Sequence, residues 1–262
     1  MPFCLLLLLL CLSTACQATQ LRVCADNRNV PPLSFIGGMG EAQYLLAQAA
    51  GNLQLRLSIS YLPQLRCLKE VAARNFDALL TSSPNPLTEP LLAFPLDRTG
   101  QPDRSRAYMV MPVVAFRLKG AQSSWDGAQF GHLRKPVLYE KGVPTVQLFM
   151  QKSGVPAQGS AHTPQQMMEM ILAGRADIGV ALEPAIRYAL QQHDPQQQFE
   201  VIEPPLFKAP VFLGIGKHFA ATHAVLAEQL WNEIRSIRAS PQWLRIRDQV
   251  QHNRLPAEAA FP

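Results

Sequence analysis

The chain has 262 residues, of which 48% are apolar and 16% charged, and its formal net charge is +5. This composition excludes an intrinsically disordered chain, and the length is enough for one large domain or two smaller ones. No run of five or six like charges occurs, and the C-terminal arginines are interspersed with acidic residues: Arg235, Arg238, Arg245 and Arg247 with Glu228, Glu233 and Asp248. We interpret them as a solvated helix face and expect no nucleic-acid partner.

The N-terminus resembles a targeting segment. Six consecutive leucines occupy residues 5–10, and small residues follow up to Ala18. A leading apolar run this short is typical of a secretory signal peptide and does not reach across a bilayer. We predict a signal peptide over residues 1–18 with cleavage after Ala18. Lipid attachment at Cys16 is the alternative.

Two of the five cysteines, Cys24 and Cys67, lie beyond the predicted signal peptide and its border. An even pair of cysteines in an exported protein favours one disulfide. The alternative is a pair of buried thiols, because free cysteine is among the most buried residue types.

The first part of the chain alternates between strand and helix patterns. The first strand begins at Leu21 and stops before Pro31 and Pro32, because proline fixes φ and lacks an N–H donor. Hydrophobic periodicity then predicts a helix over Glu41–Ala50 ending at Gly51, an edge strand over Leu53–Ser60, a helix from Pro63 to Arg74 and a strand over Phe76–Leu80. This order predicts a βαβαβ unit with a parallel sheet.

A second α/β unit follows after an irregular segment. Its predicted elements are a strand over Lys135–Glu140, a helix through Met150, a helix from Thr163, a strand over Asp177–Leu182, a helix over Ala185–Gln192 and a strand over Phe199–Ile202. The helical region His223–Gln251 is interrupted near Ser240 and Pro241. Two α/β units predict two lobes.

Two apolar, proline-containing segments are predicted to cross between the lobes. Tyr108–Arg117 contains Pro112, which argues against a central strand, and Ala209–Gly216 contains Pro210. Two crossings between two lobes describe a cleft that binds a small ligand and a hinge that lets it close.

The ordered segments LRVCADNRNVPPLSFIGG, LRCLKEVAARNFDALL, KPVLYEKG, AGRADIGVALEPAIRYAL and VFLGIGKHF resemble the bacterial periplasmic solute-binding proteins of family 3. The resemblance implies an α/β, two-lobed periplasmic binding protein type II fold. Each lobe would be a mainly parallel sheet flanked by helices, with the two crossing segments as the hinge. It further implies lobe 1 over residues 19–112 and 210–262, lobe 2 over residues 113–209, and a periplasmic location.

The resemblance also implies a set of candidate ligand-binding residues. These are Asp26, Pro32, Phe35, Tyr61, Arg66, Ser82, Ser83, Asn85, Gly142, Thr145 and Glu183. In the family, the turn matching Gly142–Thr145 cradles a ligand carboxylate, and an acidic residue near the position of Glu183 takes the ligand's amino group. Relatives that bind α-amino acids carry an arginine soon after the third strand, whereas Asn85–Pro90 contains none. Arg66, Arg98, Arg104 or Arg106 would have to replace it.

Three functions are consistent with this pattern. The first is a monomeric periplasmic binding protein that captures a small polar ligand, either amino-acid-like or a small organic anion, for an ABC permease or another membrane partner. The second is a secreted accessory or sensory protein without a transport role. The third is a lyase-like enzyme using Glu183 or Asp26 as general acid or base. We favour the first and expect no catalytic residue, metal or cofactor.

Overall fold

A computed structural model describes residues 19–254. The predicted signal peptide, its cleavage site and Cys16 lie outside the described residues. The strands are β1 Gln20–Asp26, β2 Arg56–Leu62, β3 Ala78–Ser82, β4 Leu92–Ala93, β5 Met109–Leu118, β6 Ser124–Trp125, β7 Phe130–Gly131, β8 Val137–Glu140, β9 Ala157–Ala161, β10 Gly179–Leu182 and β11 Phe199–Gly216. The α-helices are α1 Glu41–Asn52, α2 Gln64–Ala72, α3 Pro144–Lys152, α4 Pro164–Leu172, α5 Glu183–His193, α6 Lys217–Thr222, α7 Ala224–Arg238 and α8 Pro241–Gln251.

One sheet runs through both lobes in the order β2-β1-β3-β11-β5-β10-β8-β9, with β4 paired to β11. β1 is parallel to β2 and β3 in lobe 1, and β8 is parallel to β9 and β10 in lobe 2. The two halves meet at β11, which is antiparallel to both β3 and β5. The predicted α/β class with mainly parallel lobes is therefore confirmed, and β5 with β11 forms the connection between lobes.

Each half of the sheet is buried on both faces. In lobe 1, α1, α7 and α8 cover one face around Trp231 and Trp243, and α2 covers the other around Phe212. In lobe 2, α4 and α5 pack around Phe116, and α3 packs against Trp125 on the opposite face. Burial on both faces explains why the inner strands are nearly continuous apolar runs, while only the edge strand β2 shows clean alternation.

The prediction that Pro112 excludes a central strand is wrong. β5 lies between β11 and β10, and Pro112 pairs with Lys208 of β11. The strand accommodates the proline because β10 ends opposite Val113, so β5 has a neighbour on one side only at Pro112. The N–H that Pro112 lacks is therefore at a position where β5 has only β11 beside it.

Other predicted boundaries also shifted. The strand expected at Phe199–Ile202 and the crossing segment expected at Ala209–Gly216 are parts of one continuous strand of 18 residues, β11. Gly51 lies inside α1, and the left-handed residue after that helix is Gln54, with φ 54°. The edge strand β9 was not predicted, because its sequence AQGSA has no apolar alternation.

The structure contains the disulfide between Cys24 and Cys67, so the alternative of two free thiols is wrong. The bridge joins β1 to α2, with the two Cα atoms 5.5 Å apart. Both residues are fully buried in the apolar cluster around Phe212.

Candidate ligand-binding site

A cleft of about 530 Å³ lies between the two lobes. Lobe 1 contributes the segments that follow β1 and β3, and lobe 2 contributes the segments that follow β8, β9 and β10. The carboxyl ends of these strands meet at one edge of the sheet, where ligands bind in open α/β folds. Five of the predicted site residues line this cleft: Asp26, Ser82, Ser83, Asn85 and Thr145.

The other six predicted residues do not line the cleft. Three of them support its wall instead. The Tyr61 hydroxyl accepts a hydrogen bond from the Gln43 amide at 2.8 Å, and the same amide group bonds the backbone of Phe35. The Pro32 carbonyl accepts from the Glu41 N–H, which ties the turn to the start of α1.

Arg66, Glu183 and Gly142 lie elsewhere. The Arg66 side chain is 65% exposed and pairs with Glu70 on its own helix. The Glu183 carboxylate pairs with Arg187 one helical turn later at 2.5 Å. The Gly142 carbonyl accepts from an arginine of lobe 1, described next. A ligand contact by any of these residues stays a prediction.

Arg28 is the arginine that reaches the cleft. Its Nε and Nη2 donate to the buried carboxylate of Asp26, with Nη2 at 2.6 Å from Oδ2. Its Nη1 crosses to lobe 2 and donates to the Glu140 carboxylate and the Lys141 carbonyl, each at 3.1 Å. Nη2 also donates to the Gly142 carbonyl at 3.3 Å. Arg28 thus joins the two lobes directly.

The partners of this guanidinium are unequal. Asp26 accepts from it with both carboxylate oxygens, which is the bidentate geometry that arginine favours. Glu140 accepts with Oε1 only. Burial raises the pKa of Glu140 to about 7; the Arg28 charge opposes this rise, and the Asp26 charge adds to it.

This pKa predicts a pH-dependent stability. In the folded protein Glu140 keeps its proton up to about pH 7, whereas its ordinary pKa of 4.5 applies in the unfolded chain. The stabilisation of the folded state by protonated Glu140 is therefore complete below about pH 4.5 and is lost as the pH rises to about 7. Above that pH the free energy of unfolding no longer changes through this group. The size of this stabilisation is about 3 kcal/mol of unfolding free energy.

Urea unfolding at pH values from 4.5 to 8 measures this contribution. The difference between wild type and Glu140→Gln should change by about 3 kcal/mol across that range. Glu169→Gln is the matched control, because Glu169 is an exposed residue of the same lobe outside the cleft. Parallel pH profiles for wild type and Glu140→Gln would contradict the prediction.

The lobe 1 wall after β3 is built by internal hydrogen bonds. The Asn85 side chain accepts from the Leu87 and Thr88 N–H groups and donates to the Ser83 carbonyl. Its hydrogen bonds therefore hold the loop rather than face a ligand. Ser82 is different: the residue lines the cleft, and its buried hydroxyl has no hydrogen-bond partner among the described residues.

On lobe 2, helix α3 begins at the cleft. Its N-cap residue Val143 gives no side-chain hydrogen bond, and Pro144 occupies the first helical position. The N–H groups of Thr145 and Val146 belong to the first turn of α3. Backbone N–H groups in the first turn have no hydrogen-bond acceptor within their own helix. Both the Thr145 side chain and the end of the helix are thus available to a ligand.

Much of the remaining lining is apolar. Ile36 of lobe 1 and Tyr188 of lobe 2 are 50% and 42% exposed, and both line the cleft. Val143 and Leu182 add to the apolar lining. The site therefore combines a charged end with an apolar wall.

None of the other arginines considered from the sequence lines the cleft. Arg98 and Arg104 are exposed, and Arg106 is buried with Asp103 and Glu228 in lobe 1. Within residues 19–254 no group of three or more His, Cys, Asp or Glu side chains is placed to hold a metal ion. No helix in that range is long and apolar enough to cross a membrane.

Sequence reasoning missed Arg28 and Glu140 as site residues. Arg28 follows a predicted strand and Glu140 ends one. This position could have indicated them, because residues at strand ends line the binding cleft in open α/β folds. Arg28 stood within the polar turn after β1, and Glu140 closed the KPVLYE strand.

No protein-family model and no curated protein sequence matches this chain. Solved structures do match it. A histidine kinase sensor domain with similarity to periplasmic binding proteins has a TM-score of 0.68 at 15% identity, covering 88% of this chain and 96% of that chain. The amino acid ABC transporter substrate-binding protein AbpA from Streptococcus pneumoniae, bound to L-arginine, has a TM-score of 0.66 at 14% identity, covering 90% and 95%.

The GluR0 ligand-binding core from Nostoc punctiforme, in complex with (L)-glutamate, has a TM-score of 0.68 at 10% identity, covering 87% of this chain and 98% of that chain. The chain has the two-lobed fold of the type II periplasmic binding proteins. At these identities the likeness establishes the fold alone. The periplasmic binding protein fold places a ligand between its lobes, which is where the cleft of this chain lies.

Proposed function

We propose that this protein binds a small polar molecule between its lobes and carries out no reaction on it. The observation that carries the proposal is the cleft itself, because its two walls come from different lobes and are joined by the β5 and β11 strands. Ligands that contact both walls stabilise the closed arrangement, which is how a hinged pair of lobes captures a small molecule.

We further propose that the protein is exported to the periplasm and acts there as a monomer. It would deliver its ligand to an ABC permease. The signal-peptide pattern over residues 1–18 and the likeness to an ABC transporter substrate-binding protein support this role. The separation of the apolar clusters near Pro112, and again after Phe207, supports the lobe bounds proposed from the sequence.

A sensory role is the second candidate. It is favoured by the likeness to a histidine kinase sensor domain, which shares the fold at a comparable TM-score. Neighbouring genes separate the two roles. A permease and an ATPase beside this gene would favour transport, whereas a signalling enzyme would favour sensing.

Thermal unfolding in the presence of amino acids, amines, small acids and sugars tests the binding function. A ligand present at one hundred times its Kd stabilises the folded state by about 2.7 kcal/mol, which raises Tm by about 5–10 °C in a chain of this size. The expected result is at least one compound with such a shift.

A variant with a filled cleft provides the control. Ala185→Trp places a large ring in the cleft and should abolish the shift, whereas Ala224→Trp, on an exposed helix outside the cleft, should preserve it. The proposal fails if no compound class raises Tm, or if the ligand that does so acts equally on both variants.

A further inference from the structure

The charge balance of the cleft is uneven. Within the described residues its lining contains two carboxylates, Asp26 and Glu140, and one guanidinium, Arg28. The other titratable lining residues are Tyr188, His162 and His193. Above about pH 7, where Glu140 has lost its proton, the two carboxylates and the guanidinium together carry one more negative than positive charge, which favours a cationic ligand.

Arg28 has no donor left for a ligand carboxylate. A guanidinium has five N–H groups in a fixed fork. Nε and one hydrogen of Nη2 serve Asp26, and the other Nη2 hydrogen serves the Gly142 carbonyl. The two hydrogens of Nη1 serve Glu140 and the Lys141 carbonyl. The bidentate arginine–carboxylate contact is therefore already made within the protein.

Glu140 keeps free acceptor capacity at the cleft. Its Oε1 accepts from Arg28, while Oε2 accepts no hydrogen bond from residues 19–254. The side chain is only 12% exposed, so its carboxyl group is largely removed from water. The raised pKa of Glu140 agrees with an incompletely compensated carboxyl group.

A second unpartnered group lies on lobe 1. Ser82 is 3% exposed and lines the cleft, and its buried hydroxyl has no hydrogen-bond partner among the described residues. Buried hydroxyl groups without a partner are rare in folded proteins, so this one, in a residue of the cleft wall, is a candidate ligand contact. Its oxygen can accept from an N–H donor, as can Oε2 of Glu140 on lobe 2.

The apolar wall indicates the rest of the ligand. Ile36 and Tyr188 lie on opposite lobes, line the cleft and are about half exposed. Val143 and Leu182 line it too. An alkyl or aromatic group would bury this surface, and a tyrosine ring also attracts a nearby cation through its face.

We propose that the cleft binds a small primary amine with an apolar body and no carboxylate group, held by Glu140 and Ser82. This inference rests on the proposed binding function and narrows its ligand class. The ammonium group would donate to acceptors on both lobes, so that binding links them. An anion held at the first turn of α3 is the competing arrangement, and the experiment measures it directly.

Two matched ligand series test the inference by isothermal titration calorimetry at pH 7.5. The first contains leucine, 3-methylbutylamine and 4-methylpentanoate, and the second contains phenylalanine, 2-phenylethylamine and 3-phenylpropanoate. Within a series the apolar body is constant and only the charged groups change. We expect the amine of at least one series to bind at least tenfold tighter than the amino acid and the acid.

The pH dependence separates the amine from the anion again. An alkylamine stays protonated up to about pH 9, so its affinity should rise about tenfold from pH 6 to pH 8 as Glu140 loses its proton. Asp26, Arg28, Lys141, Tyr188, His162 and His193 are the other titratable groups around the site. Because other titratable groups surround the site, Glu140→Gln is measured in parallel and should abolish most of the rise.

Two variants locate the contact. Glu140→Gln and Ser82→Ala should each weaken amine binding by tenfold or more, and Glu169→Gln and Ser58→Ala, exposed residues outside the cleft, should not. Ser82→Ala removes an unpartnered group and should fold normally, so it remains informative if Glu140→Gln unfolds.

Tighter binding of the acid or the amino acid than of the amine overturns the inference and leaves the proposed binding function intact. Amine binding that both cleft variants leave unchanged overturns it as well. If none of the six compounds binds, the inference is wrong, and the wider panel of amino acids, amines, acids and sugars decides whether the binding function fails with it.

Discussion

Replacing Cys24 and Cys67 together by alanine is expected to lower the free energy of unfolding by about 4 kcal/mol. The bridge closes a loop of 43 residues, and the loop-entropy relation gives this value for a loop of that length. The residues in the loop include all of α1 and β2, so the constraint on the unfolded chain falls on the first part of lobe 1. Urea unfolding of the variant and of wild type measures the difference.

Reduction of the wild-type protein provides the matched control for the disulfide. Wild type treated with a reductant should lose a similar amount of stability, while the double alanine variant should not respond to the reductant. Both sulfur atoms are buried, so reduction requires partial unfolding and is measured at equilibrium. A double variant as stable as oxidised wild type would contradict the prediction.

Arg28→Met is expected to lower the free energy of unfolding by about 3–5 kcal/mol. Methionine preserves much of the side-chain length but removes the charge, which leaves the buried Asp26 carboxylate without the one cationic partner it has among residues 19–254. Breaking a buried pair by removing one partner costs this much because the remaining charge stays desolvated. The same variant should also open the lobes, since Arg28 supplies four contacts between or within the cleft walls.

Two measurements separate the effects of Arg28. Urea unfolding reports the stability, and small-angle scattering reports lobe opening as a larger radius of gyration. Adding Asp26→Asn to Arg28→Met should recover part of the stability, because the buried charge is then gone. Arg187→Ala is the control: that side chain is 57% exposed and pairs at the surface, so a change within about 0.5 kcal/mol is expected. An Arg28→Met protein as stable as Arg187→Ala would contradict the prediction.

The order of elements could be predicted because local patterns decide it. The alternation of LQLRLSIS placed the edge strand β2, and Thr163 followed by Pro164 placed the start of α4. Strands without such a signal were missed, as β9 was. Pro112 misled for a different reason: the proline rule depends on which neighbours a strand has, and the end of β10 at Leu182 is a tertiary fact.

The site was less predictable than the fold. Asp26, Ser82, Ser83, Asn85 and Thr145 line the cleft because strand ends collect at one edge of the sheet. The contact from Arg28 to Glu140 joins residues 112 positions apart, and it forms only when the two lobes face each other.

The predicted acidic partner across the cleft, Glu183, instead begins α5 and turns to Arg187. No local pattern distinguishes the two glutamates, because both follow an apolar strand. Which one faces the cleft depends on how each strand continues, as a turn before α3 or directly into α5.

The chain leaves lobe 1 through β5 and returns to it through β11. This path determines the order in which the two lobes can fold. Every residue of the lobe 2 core lies between Val113 and Phe207, so that lobe is a continuous insertion. Lobe 1 is split, and its core requires Trp231 and Trp243, the latter stacked on Tyr44 with ring centroids 5.5 Å apart. A chain emerging from its N-terminus therefore has every residue of the second lobe available before the first lobe can close.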